Sequence, residues 1–105
     1  MPTGFWCLPE ADIGIPFTGG MSALIQARLS PQTAHEAMTT ARRYGGADAA
    51  AAVVDRAVDE EAVRGTAVEL ARSLAGKAGP TLGTIKARMY APVLDVLREA
   101  DHPRD

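Results

Sequence analysis

The stretch from Gly4 to Leu29 reads GFWCLPEADIGIPFTGGMSALIQARL, and the rest of the chain is arranged around it. It opens on a short apolar run, Phe5-Trp6-Cys7-Leu8, bracketed by Gly4 and Pro9, which reads as a buried strand. A single carboxylate, Glu10, follows the proline directly. Pro9, Gly14 and Pro16 punctuate Glu10 to Phe17 as a loop. From about Thr18 to Leu29 the spacing predicts a helix, with Met21, Leu24, Ile25 and Leu29 on one face. Gly19 and Gly20 near its start permit close approach of the backbone to a ligand or a strand. A strand ending on a carboxylate, then a Gly-rich turn feeding a helix N-terminus, builds one wall of a binding site.

Outward from this stretch the chain is helical. Ser30-Pro31 supplies an N-cap and a proline at the first helical position, opening a helix to about Thr40 with Ala34, Ala37 and Met38 as its buried stripe. Arg42 to Gly46 connects to a short alanine-rich helix over Ala47 to Ala52. Val53 to Val58 is β-branched enough for a second brief strand. Asp59 can cap the next helix, whose Val63, Ala67, Leu70 and Leu74 share a face and which stops at Gly76. Pro80 opens a further helix to about Tyr90, and Pro92 restarts a last one to about Glu99. The expected fold class is α/β but helix-dominated, with one or two short strands and five to six helices. A single domain is expected over 1–105: a strand-loop-helix core at 4–58 and C-terminal helices at 59–100.

Composition narrows the function classes. A chain of 105 residues permits one modest domain, and although 47% of it is hydrophobic, much of that is alanine, which buries little area. Only five aromatics are present. A core this light points to help from partner subunits or from further sequence. The net charge of −2, with Lys and Arg spread along the chain, argues against a nucleic-acid surface. One cysteine excludes an internal disulfide framework and a cysteine-rich metal site, and fits a reducing compartment. No run approaches the roughly 18 apolar residues of a membrane span, and no signal peptide is visible. The expectation is a cytoplasmic protein that binds neither nucleic acid nor membrane.

Among residues able to carry chemistry, Glu10 stands first. Its residue type alone is compatible with a solvated loop carboxylate, as most Glu side chains are. Apolar neighbours such as Trp6, Leu8, Ile13 and Phe17 would instead raise its pKa toward that of a useful acid/base. Asp12 is better read as a loop-stabilising acceptor than as a second catalytic carboxylate. His35 has no second ligand at metal spacing, so no metal is expected. Cys7 reads as buried packing.

Several motifs resemble the second half of the crotonase family, the enoyl-CoA hydratases and isomerases. They are Leu8-Pro9-Glu10-Ala11-Asp12-Ile13-Gly14, Pro16, Gly19-Gly20, Arg43-Tyr44-Gly45-Gly46-Ala47-Asp48-Ala49, Val53-Val54-Asp55, and more weakly Ile85-Lys86 and Tyr90. The resemblance implies the C-terminal portion of a ββα spiral fold. It also implies proton transfer beside an acyl-CoA thioester, with coenzyme A entering as part of the substrate and no separate cofactor. It places Glu10 at a family catalytic glutamate, and Pro16, Phe17, Gly19 and Gly20 along the acyl end of a substrate pocket. Hydratases of the family tend to carry Gly-Ala-Gly-Gly after this proline, where this chain has Phe17-Thr18-Gly19-Gly20. Phe17 would dry the place of a reactive water, which favours the Δ3,Δ2-enoyl-CoA isomerase-like branch. Lys86 and Arg88 could meet a CoA phosphate, although a solvated helix face is the simpler reading.

Two departures stand beside the resemblance. The family's oxyanion hole is built from backbone amides in its first half, which this sequence does not contain, and losing one such donor costs about 100- to 1000-fold. The family also usually has a glycine where Ala52 runs directly into Val53-Val54-Asp55. The expectation is therefore fatty acyl-CoA double-bond isomerisation in the full-length context, with little turnover by the chain alone. Its partners would be further copies of itself or a chain supplying the missing half. The alternative is a non-catalytic remnant or subunit that associates with a partner chain through its helices.

Overall fold

A computed structural model describes residues 4–99. Within them lie seven α-helices: α1 (Glu10–Ile13), α2 (Gly19–Arg28), α3 (Pro31–Thr40), α4 (Gly46–Ala52), α5 (Val63–Leu74), α6 (Pro80–Met89) and α7 (Ala91–Arg98). Single 3-10 turns at Glu60–Ala62 and Ala75–Lys77 flank α5. The helix-dominated architecture expected from the sequence is what the structure shows.

Local chemistry sets the helix boundaries. Thr18 Oγ1 accepts from the Met21 amide at 3.2 Å, and Ser30 Oγ accepts from the Thr33 amide at 3.2 Å, so α2 and α3 each start on a side-chain cap. Pro31 and Pro80 occupy the first turns of α3 and α6, where a missing N–H costs nothing. Tyr90 lies between α6 and α7, and Pro92 sits in the first turn of the latter.

Strand content is smaller than the apolar runs imply. The Phe5–Leu8 run makes one antiparallel bridge, Trp6 with Tyr44, exchanging N–H···O bonds of 2.9 and 2.8 Å. Phe5 itself is 58% exposed. Val53–Val58 pairs with no strand among the described residues; Val53 and Val54 both donate back to the Ala49 carbonyl as α4 ends. A strand needs a neighbour to bond, and only one residue pair here finds one. The loop expected over Glu10 to Phe17 begins instead as α1. Pro9, at φ −80° and ψ 2°, offers its carbonyl to the Asp12 and Ile13 amides, which nucleates a turn of helix.

The core is thin. Ala37, Tyr44 and Ala49 form its centre, with Trp6, Leu8 and Val53 packed around them. Trp6 and Tyr44 meet edge-to-face at 5.7 Å between ring centroids. α1 packs on α3, and α2 packs most extensively on α7, where Val93 is buried. The apolar face of α5 is largely uncovered: Val63 is 53% and Leu74 48% exposed, and Leu70 is half-buried. Neither α5 nor α6 contains a buried residue. No helix among the described residues is long and apolar enough to cross a membrane.

Candidate active site

The candidate wall runs from the Trp6–Tyr44 bridge through Pro9 into α1, and from there to the first turn of α2. Gly14 closes α1 in the left-handed conformation, φ 73° and ψ 28°. That geometry costs any residue with a Cβ about 1–2 kcal/mol, and it lets the Ile15 amide bond the Glu10 carbonyl at 3.1 Å. Ile15 to Thr18 then carries the chain to the α2 N-terminus, where Gly20 is buried.

Glu10 stands at the first position of α1, half-buried, on the helix that packs against α3. Its Oε1 is shielded from solvent and has no hydrogen-bond partner. Pro16 is exposed and Phe17 half-buried in the connector; Gly19 and Gly20 are the first two residues of α2. These four fall in one stretch interrupted only by Thr18, while Glu10 lies at the far end of α1. Ile13 and Ile15, between them, are 60% and 56% exposed.

The remaining candidates scatter. Asp12 is exposed in the first turn of α1. His35 is exposed on α3, where its carbonyl accepts from Thr39 Oγ1 at 2.6 Å. Cys7 is half-buried beside the bridge. Lys86 and Arg88 both lie exposed in the last turn of α6. Among the described residues no group of three or more His, Cys, Asp or Glu is placed to hold a metal ion.

One polar cluster escaped sequence reasoning. Arg42 donates to Glu36 Oε1 at 2.6 Å and to Asp48 Oδ2 at 2.9 Å, and the Tyr44 hydroxyl donates to the same Glu36 oxygen at 2.8 Å. The Arg42 guanidinium also lies 4.6 Å from the Tyr44 ring centroid. The Tyr44 hydroxyl, and after it Arg42, holds the Glu36 carboxyl below its ordinary value. Burial, then the bond to Glu36, pushes the Tyr44 phenol up. The cluster ties α3 and α4 to the bridge residue that aligns the Trp6 run. It also spans Ala41, a buried non-glycine residue at φ 56°. No helical or strand spacing joins residues six apart across such a turn, so the sequence carried no signal for it.

Two apolar recesses lie elsewhere, and neither is lined by Glu10, Pro16, Phe17, Gly19 or Gly20. A cleft of about 630 Å³ lies between the bridge and α5, with Trp6, Tyr44, Val54, Val63 and Leu70 among its lining. A groove of about 460 Å³ lies among α2, α6 and α7.

A cap-and-turn wall feeding a glycine-opened helix, on a helix-dominated frame, matches a known class of structure. The crystal structure of an enoyl-CoA hydratase from Mycobacterium ulcerans superposes with a TM-score of 0.79 at 28% sequence identity. The match covers 87% of this chain and 40% of that one. Residues 3–103 match the sequence profile described as enoyl-CoA hydratase/isomerase, and the chain belongs to that family. No curated protein gives a significant match. The chain spans well under half the length of the solved enzyme it matches.

Proposed function

We propose that this chain carries the acid/base carboxylate of an acyl-CoA isomerase, and that the carboxylate is Glu10. The observation behind this reading is the shielded, unpartnered Oε1 of Glu10. Leaving a buried acceptor unsatisfied costs about 1–3 kcal/mol. Such a cost is tolerated where a ligand supplies the missing partner. Membership of the enoyl-CoA hydratase/isomerase family supports an acyl-CoA thioester as that ligand, with coenzyme A as part of the substrate.

In the proposed reaction the Glu10 carboxylate takes a proton from C2 of a 3-enoyl thioester. The electron pair moves into a dienolate, and the carboxylic acid returns a proton to C4. The double bond shifts to C2–C3, and no water is added. Pro16, Phe17, Gly19 and Gly20 line the acyl end, and the half-buried Phe17 keeps water from the carbon skeleton. On this reading the enolate oxygen is held by backbone donors of the family's first half, and turnover depends on their presence beside Glu10.

A second reading is favoured by the exposed apolar side chains of α5 and α6, including Val63, Val68, Leu74, Ile85 and Met89. On that reading the chain is a non-catalytic subunit that associates through those helices.

The test is reconstitution. The chain is co-expressed with the part of the Mycobacterium ulcerans enzyme outside the matched region and supplied with a 3-enoyl-CoA deuterated at C2. Isomerisation with deuterium carried to C4 fits a single shuttling carboxylate. Hydration without isomerisation contradicts the isomerase assignment, and a stable complex that turns over neither substrate favours the second reading.

A further inference from the structure

We propose that two copies of this chain pair edge to edge through Phe5-Trp6-Cys7, as antiparallel strands about a two-fold axis at Trp6. In the bridge the Trp6 N–H and C=O both bond Tyr44, at 2.9 and 2.8 Å. Peptide groups alternate sides along an extended chain, so those of Phe5 and Cys7 face away from Tyr44. Among the described residues, the backbone groups of Phe5 and Cys7 make no hydrogen bond. Such an edge is a template for another strand, and proteins commonly guard it with a charge or a proline. No charged residue or proline falls within Phe5-Trp6-Cys7-Leu8; Pro9 stands just beyond it. Arg43, 4.8 Å from the Phe5 ring centroid, neighbours Tyr44 in sequence and so comes from the bridged side.

Symmetry selects a second copy as the occupant. The free groups lie one residue to either side of Trp6. A two-fold axis there sets Phe5 of each protomer opposite the partner's Cys7, and each such pair exchanges both N–H···O bonds. Trp6 then faces the partner's Trp6 in the closer, non-hydrogen-bonded position, with Cα atoms about 4.5 Å apart. Phe5, 58% exposed in one chain, packs beside the partner's half-buried Cys7. The cleft of about 630 Å³, which Gly4, Phe5 and Trp6 help to line, opens beside the same run. The surface that one chain exposes beyond a compact protein of its mass, roughly 2,400 Å², is enough for a dimer interface. Glu10 and the bare faces of α5 and α6 take no part, so failure here leaves both readings of the function untouched.

Light scattering of the full chain over a concentration series, with circular dichroism of the same samples, tests the pairing. The chain has one tryptophan, so an indole–indole exciton couplet arises only between copies. The expected result is a dimer whose couplet fades on dilution in step with its dissociation. Cys7→Pro removes an N–H from the free edge and leaves the Trp6–Tyr44 bonds in place, so the dimer weakens by about tenfold or more and the couplet goes with it. Cys7→Ala keeps that N–H and keeps the dimer. A chain that stays monomeric overturns the proposal, as does an oligomer without the couplet. So does a dimer that survives Cys7→Pro, or one broken instead by Met89→Glu on α6. If Cys7→Pro does not fold, Phe5→Pro removes the other free N–H, and if neither folds, the couplet of the unaltered chain decides alone.

Discussion

Glu10 combines two properties that stability alone does not explain: an oxygen out of solvent and no partner for it. If the carboxylate is kept for a ligand, removing it relieves the fold. Glu10→Met, of similar length, should leave the thermal midpoint unchanged or raise it. A fall of several degrees would mean that the side chain has a structural role. Gly14 makes the complementary case. A Cβ there meets nothing within 4 Å, so only its φ of 73° is at stake. Gly14→Ala should cost about 1 kcal/mol, which lowers the midpoint by roughly 4–8 °C. The prominence of Glu10 was legible because Pro9 and the glycines isolate it. The shielding of Oε1 was not, because no local spacing shows how the folded chain covers a side chain.

At the scale of elements, what the sequence could specify locally it specified well. The start of α3 at Ser30-Pro31 and the restart at Pro92 fall where the caps and prolines place them. Ser30→Ala should therefore cost about 1 kcal/mol, read as a lower midpoint with unchanged helical circular dichroism. Gly83 sits inside α6, and a methyl group at its Cα would meet no atom within 4 Å. Gly83→Ala should stabilise by about 0.5–1 kcal/mol, and a loss would show that α6 is not helical in solution. Strand pairing is scarcer than strand composition for a physical reason. The Phe5–Leu8 and Val53–Val58 runs have strand composition, but a ladder needs a partner strand, and composition cannot show whether one is within reach. The first turn of α1 is not legible locally, because a proline before a single polar residue can equally open a helix or hold a loop.

Across the whole molecule the dominant feature is openness. The radius of gyration is 16.2 Å, against about 13 Å for a compact chain of this length. The accessible surface is 8010 Å². A compact protein of 11.0 kDa exposes about 5,600 Å². The excess, roughly 2,400 Å² on one chain, lies at the upper end of the about 1,000–2,500 Å² that each partner of an obligate interface buries. It accompanies the bare apolar faces of α5 and α6. The light, alanine-rich composition signalled this shortage of core; which helices it leaves bare needed the structure. The Glu36–Arg42–Asp48–Tyr44 cluster joins α3 and α4 through ion pairs that remain largely exposed. Glu36 has its pKa depressed below 4.5, so its contribution is present above that pH and is lost as pH falls through the lower folded value. Midpoints measured down through the acid range should fall there, and Glu36→Gln should flatten that limb; an unchanged acid limb would show that the cluster does not form.

The assignment of Glu10 as the acid/base is tested most directly by turnover of 3-enoyl-CoA in the reconstituted complex, comparing the unaltered chain with Glu10→Gln. Glutamine keeps the shape and removes the transferable proton. The rate should fall by about 100-fold or more while complex formation and thermal midpoint hold. A Glu10→Gln complex that assembles normally and turns over at the unaltered rate would contradict it.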